Sequence, residues 1–187
     1  MKNKGEHMAE RSWRQDPLRR ERIAEAALEV IVKYGVAGTT YRKVAAQAAV
    51  PLGAVSYYFT SLDALLFAAF NQLSLHISDR FSALIAQADT QQEAIDAVVA
   101  IIFGNATSSS RTLLLSYELY AFASRHPPLQ PVMLEWMTRS RSALERHFSP
   151  AAAVAIDAFI EGMMIHRSVM PVAPEQVANA IRQLASL

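Results

Sequence analysis

Residues 39–59 read TTYRKVAAQAAVPLGAVSYYF, and this stretch decides the fold. Residues 41–48 put Val44, Ala45 and Ala48 on one side at helical spacing. Ala49 and Val50 interrupt that pattern. Pro51 suits the first turn of a second helix, where its missing N–H leaves no bond unmade. That second helix is short and closes on Ser56, Tyr57, Tyr58 and Phe59. Two short helices around a tight corner, the second tipped by hydroxyls and aromatic rings, make a helix-turn-helix shaped for a DNA major groove. DNA binding is the expectation.

On the N-terminal side, residues 1–15 are expected to form a flexible basic arm, with Asp16 capping and Pro17 opening a first helix. Ile23, Ala26, Ala27, Val30, Ile31 and Tyr34 then recur at helical intervals as one buried stripe, and Gly35 stops the helix. Thr39 and Thr40 supply the next N-cap. On the C-terminal side, Ser61 caps a long fourth helix carrying Leu62, Leu65, Leu66, Ala69, Phe70, Leu73, Ile77, Phe81, Leu84 and Ile85 along one side.

The rest reads as further helices. Thr90 to Glu93 forms a capping box. A polar joint at 107–110 precedes a helix over 113–122, which breaks at His126, Pro127 and Pro128. Helices over 129–148 and 151–170 follow, and Pro171 and Pro174 introduce a short last one. No segment alternates with period two, so the fold expected is all-α with about nine helices.

Composition narrows the function. The chain has 187 residues, 52% hydrophobic and 19% charged, which suits a folded globular protein. It contains no cysteine, which excludes thiolate metal sites, cysteine nucleophiles and disulfides. No apolar run approaches the roughly 18–20 residues of a membrane span, and the polar start has no signal-peptide core, so a cytoplasmic protein is expected. Residues 1–62 carry an excess of four basic residues, whereas 63–187 carry an excess of three acidic ones. Positive charge thus gathers in the third that holds the helix-turn-helix, where phosphates would be met.

Residues 17–70 resemble the DNA-binding domain of the TetR family of transcriptional regulators. The matching pieces are an Ala-rich first helix ending in Tyr34-Gly35, then Gly38-Thr39-Thr40, Val44-Ala45, Val50-Pro51-Leu52-Gly53 and Ser56-Tyr57-Tyr58-Phe59. Ser61, Asp63, Leu65 and Leu66 follow. The resemblance implies a homodimeric repressor that binds a palindromic operator in double-stranded DNA and is released by a small-molecule effector, with no cofactor. It divides the chain into a basic arm (1–15), a DNA-binding domain (16–62) and a helical effector-binding and dimerisation domain (63–187). It also implies that Thr40, Tyr41 and Arg42 meet the backbone or a base, that Leu52, Gly53, Ala54 and Ser56 face base edges, and that Tyr57 and Tyr58 reach phosphates. Two positions depart from the family pattern: Ala49 stands where glycine is common, and Leu62 where a phosphate-holding lysine is usual.

Chemistry refines these roles. Leu52 and Ala54 could touch thymine methyls, Gly53 allows close backbone approach, and Arg42 could grip guanine or clamp a phosphate. Arg11, Arg14, Arg19 and Arg20 read first as a solvated basic arm and second as contacts to phosphates or a minor groove. In the C-terminal part His76, His126, His147 and His166 lack metal spacing, and no catalytic constellation emerges. Asp157 and Glu161 share a helix and read as exposed charges. Phe70, Phe103, Arg111, Tyr117, Glu118, Tyr120, Met133, Trp136 and Met137 are candidates to line a pocket for an apolar or aromatic effector, alongside Met163. Ala151, Ala155, Ala158 and Gly162 form a small-residue face suited to an isologous dimer. The alternatives are an activator or ligand-independent DNA binder of the same fold and, from another class, a helical enzyme or small-molecule carrier. Arg42→Ala is expected to cost ~1–3 kcal/mol of operator discrimination, measured as the ratio of Kd on operator and random DNA. Equal weakening on both would make Arg42 a phosphate clamp alone.

Overall fold

The computed structural model describes residues 17–104 and 109–187. The basic arm with Arg11 and Arg14, the Asp16 cap, and Thr107 and Ser108 of the polar joint lie outside the described residues. Within them the chain forms nine α-helices, one short 3-10 turn and no strand. It divides into two compact units, up to Gln72 and from Leu73, and the division falls inside the fourth helix.

In the first unit, α1 (Arg19–Tyr34) buries Ile23, Ala26, Ala27, Val30 and Ile31, as its spacing predicts. It begins two residues later than the Asp16-Pro17 signal, because its first hydrogen bond runs from the Arg22 amide to the Leu18 carbonyl (2.9 Å). Tyr34 departs from the stripe and stays exposed, with the Lys43 ammonium 4.2 Å above its ring centre. Gly35 then takes φ 68° and ψ 171°, a conformation nearly confined to glycine. Thr39, buried, donates its hydroxyl to the Gly35 carbonyl (2.9 Å).

Thr40 caps α2 (Tyr41–Gln47) by accepting from the Lys43 amide, and α2 packs on both α1 and α3 (Leu52–Tyr58). Pro51 stands at the cap position, just ahead of the first turn of α3. The corner runs through Ala49 at φ 52°, the left-handed region that a side chain disfavours. Ser61 accepts from the Ala64 amide (3.1 Å) and starts α4 (Leu62–Ile85).

In the second unit, α5 (Gln91–Phe103) opens with the expected capping box: Thr90 Oγ1 accepts from the Glu93 amide (3.2 Å), and Glu93 Oε2 from the Thr90 amide (3.3 Å). After α6 (Ser110–Ala123) a 3-10 turn at Pro127–Leu129 leads into α7 (Gln130–Leu144). Then come α8 (Pro150–His166), capped by Ser149, and α9 (Pro174–Leu184). Helix α8 packs against α7, α5 and α9, around a core that includes Phe81, Ile85, Val98, Ile102, Leu144, Ile156 and Ile181.

The corner residue yields a stability test. Left-handed backbone costs a residue with a Cβ about 1–2 kcal/mol, while glycine loosens the unfolded chain by about 0.4–1 kcal/mol. Ala49→Gly should therefore stabilise the protein by roughly 0.5–1 kcal/mol, read from urea midpoints at unchanged m-value. Gly35→Ala should destabilise it.

Candidate functional site

Helix α3 presents a continuous exposed stripe. Leu52, Gly53, Ser56 and Tyr57 sit at i, i+1, i+4 and i+5, all facing solvent, with Leu52 49% and Tyr57 72% exposed. Ala54 and Val55 occupy the opposite side and are buried, Ala54 at 1%. Ala54 was expected at a base edge, and the structure corrects this: its methyl belongs to the packing between helices. Tyr58 is half-buried and meets Tyr57 edge-on at 5.1 Å, and Phe59 is in the core beneath the Arg20 guanidinium.

Helix α2 supplies the other edge. Arg42 and Thr40 are exposed. Half-buried Tyr41 donates its hydroxyl to the Phe59 carbonyl (2.7 Å), which ties the start of α2 to the end of α3. Burial raises the Tyr41 phenol above its ordinary value, so it stays a donor. Lys43 donates to the Gly38 carbonyl (2.7 Å) and braces the turn between α1 and α2, a role not evident from its place in the sequence. At the start of α4, Leu62 is half-buried, and exposed Asp63 adds negative charge in the first turn, which weakens any anion site there.

The second unit contains a cavity of about 600 Å³ between α6, α7 and α8. Tyr117, Tyr120, Trp136 and Met137 line it, as expected; the Tyr120 and Trp136 rings lie 6.1 Å apart with a 34° tilt. The other ligand candidates lie elsewhere. Phe70 is fully buried in the first unit, and Met133 is buried in the second. Arg111 and Glu118 are half-buried off the lining, and Phe103 borders a separate hollow beside Arg167. Residue type alone favours each of these for a pocket, and type does not tell which way a helix turns.

The carboxylates of α8 do not face solvent as their sequence positions suggest. Asp157 is buried at 8% and Glu161 is half-buried, and both line the cavity instead of facing solvent. Asp157 accepts from Ser140 Oγ (2.6 Å) and from Arg141 Nε (3.0 Å). Glu161 accepts from the Tyr120 hydroxyl. Burial, then the nearby Asp157 charge, push Glu161 up to about 7, and the tyrosine bond offsets them in part. Tyr120 is pushed well above its ordinary value, by burial first and then by the two carboxylates. The sequence carries half of this signal: α8 has no basic side chain before His166, so two carboxylates one turn apart on a mainly apolar helix need partners from elsewhere, but it does not say on which helix those partners lie.

On the proposed dimer face, Ala151 is exposed and Ala155 and Gly162 are half-buried, whereas Ala158 is exposed and also borders the cavity. Among the described residues no group of His, Asp and Glu is placed to hold a metal ion. No single helix there is long and apolar enough to cross a membrane.

Residues 23–69 match the family described as "Bacterial regulatory proteins, tetR family", and residues 89–187 match "Tetracyclin repressor-like, C-terminal domain". The chain is 29% identical over 174 residues to the HTH-type transcriptional regulator BetI of Brucella canis, covering 89% of this chain and 87% of that one. Among solved structures it resembles SCO7518 from Streptomyces coelicolor A3(2) at TM-score 0.85 and 38% identity, over 91% of this chain and 100% of the other. It also resembles the multidrug binding protein EbrR complexed with ethidium, at TM-score 0.72 and 32% identity over 91% and 99% of the two chains. EbrR is known as well in complexes with proflavin and malachite green.

The Glu161 environment predicts a stability difference with a definite sign. The folded protein holds this proton between the ordinary glutamate range and about 7. The folded state binds more protons there than the unfolded chain, so stability falls as pH rises through that window. Glu161→Gln should be more stable than the parent at pH 8, by on the order of 1–3 kcal/mol, and nearly equal at pH 4.5. Thermal melts across that range check it.

Proposed function

The chain belongs to the TetR family of DNA-binding transcriptional regulators, and on that premise we propose that it is a homodimeric repressor of a palindromic operator, released when an aromatic small molecule enters the α6–α7–α8 cavity. It regulates transcription and is not an enzyme. The observation that carries the effector half is the cavity: about 600 Å³, faced by Tyr120 and Trp136, a volume suited to a compound of drug size. Relatives support it, since EbrR, 31–32% identical, is seen with planar dyes.

For the DNA half, the exposed stripe of α3 enters the major groove. Leu52 and Gly53 lie against base edges with few polar groups, and Ser56 adds one hydroxyl, itself near the Gly53 carbonyl (3.2 Å). Thr40 and Arg42 reach from the start of α2, and Tyr57 reaches a phosphate. Tyr41 serves by position, holding the two helices in register, and Tyr58 contributes its outer edge. Ala54 has no part. With so little hydrogen bonding on α3, Arg42 carries most of the base discrimination. The protein works in the cytoplasm, where its DNA is.

For the dimer, Ala151, Ala155 and Gly162 let a second α8 approach closely, with exposed Val154 and Ile165 as apolar surface around them. A Cβ added at Gly162 meets nothing within 4 Å, so substitution there leaves the protomer intact. Gly162→Arg should convert a dimer to a monomer in sedimentation velocity at micromolar concentration. It should also weaken operator binding at least tenfold, since each half-site then binds alone.

The decisive test is anisotropy on DNA flanking the protein's own gene across a salt series. Tight, selective binding with a steep salt slope, lost on adding a planar aromatic compound, is the expected result. Weak binding that is equal on random DNA would overturn the operator reading. Selective binding unmoved by any such compound would overturn the effector reading.

A further inference from the structure

The cavity has an unbalanced charge. Among the described residues that line it, Arg141 is the one cation, and Asp157 and Glu161 are the anions. Arg141 is already committed, its Nε donating to Asp157 Oδ2 at 3.0 Å, and Ser140 takes the other Asp157 oxygen at 2.6 Å. Glu161, one turn further along α8, faces the phenol of Tyr120 from α6 and no basic side chain. Tyr117, the other phenol from α6, gives its hydroxyl to the Met164 carbonyl (3.4 Å). Helix α7 contributes Arg141, Ser140 and the indole of Trp136 as polar lining groups, of which Arg141 alone is charged. Behind the carboxylates lies a second void of about 30 Å³, whose lining adds Thr112 and Ser116 as polar groups and no cation.

We propose that this cavity takes a planar organic cation in exchange for the proton on Glu161, so that the effector's affinity is set by pH. This rests on the reading of the cavity as the effector site. With Glu161 ionised, the lining carries one uncompensated negative charge beside the Tyr120 and Trp136 rings, whose faces attract cations. With no ligand present, burial and the Asp157 charge keep a proton on Glu161 up to about pH 7. When the cation enters, the Glu161 O–H bond breaks, the proton leaves to water, and the carboxylate pairs with the incoming charge. The net charge of the cavity is the same before and after. An uncharged ligand of the same shape takes no advantage of this exchange.

The sign follows from proton counting. The free protein binds more protons than the complex, so cation affinity rises with pH below about 7 and levels off above it. Binding of ethidium, a permanent cation, and of phenanthridine, its uncharged ring system, to the full-length protein without DNA tests this. Titrations at pH 6, 7 and 8 in buffers of different ionisation enthalpy give both affinity and proton release. The ethidium Kd should fall about tenfold from pH 6 to pH 8, with a proton released at pH 6 and almost none at pH 8, while the phenanthridine Kd stays level. In Glu161→Gln the ethidium Kd should lose its pH dependence. Ethidium binding that is level with pH and releases no proton overturns the exchange, and phenanthridine binding in the same titrations leaves the effector site standing. A pH dependence that survives in Glu161→Gln overturns the assignment to that residue. Failure of both compounds to bind overturns the aromatic effector site and the exchange together.

Discussion

A carboxylate on an apolar helix cannot be left uncompensated, and the second unit is arranged around that constraint. Asp157 is buried at 8% on α8, where an unpaired charge would be costly. Ser140 and Arg141, neighbours on α7, turn toward it and supply a short hydroxyl bond and a guanidinium bond. This fixes α7 against α8 at one register. It also uses up the one cation that lines the cavity among the described residues, so the second carboxylate, Glu161, is left with a phenol. The acidity of the cavity is thus a consequence of how its wall is held together.

A different constraint governs the first unit. Helices of seven residues are too short to be stable alone, so α2 and α3 persist only through what they pack on. The buried stripe of α1 gives α2 a floor, where Val44 and Ala45 are buried, and α3 packs on α2 with Ala54 and Val55 buried. The bond from Tyr41 to the Phe59 carbonyl closes the far end, and Lys43 with Gly38 closes the near one. A Cβ on Gly38 would come within 2.3 Å of the Tyr34 carbonyl, which requires glycine at that approach. Such bracing leaves the outer stripe of α3 free of structural duty. The residues that remain exposed there are apolar or small, whereas Arg42, at the start of α2, is an exposed cation.

Local sequence was most informative where one rule acted alone. The capping box at Thr90 and the caps at Thr40 and Ser61 were readable because a side chain reaches the amides of its own first turn. The α1 stripe was readable because period settles which face is inward, and it erred only at Tyr34, whose ring can lie flat under a lysine and remain exposed. Ala54 was misread because both faces of a short helix can carry small residues. Only packing tells them apart.

The sequence by itself determined the helical class, the helix-turn-helix and its exposed Arg42, because these depend on interactions between residues a few positions apart. Tertiary structure alone decided which of nine ligand candidates meet at the cavity, and that Tyr117, Tyr120, Trp136 and Met137 do so while Phe70 and Met133 do not. It also decided that Asp157 and Glu161 turn inward. Their orientation depends on Ser140 and Arg141, side chains sixteen or seventeen positions from Asp157, and on Tyr120, which lies further still. No periodicity within α8 contains that information, since it is the partner on another helix that makes burying the charge tolerable.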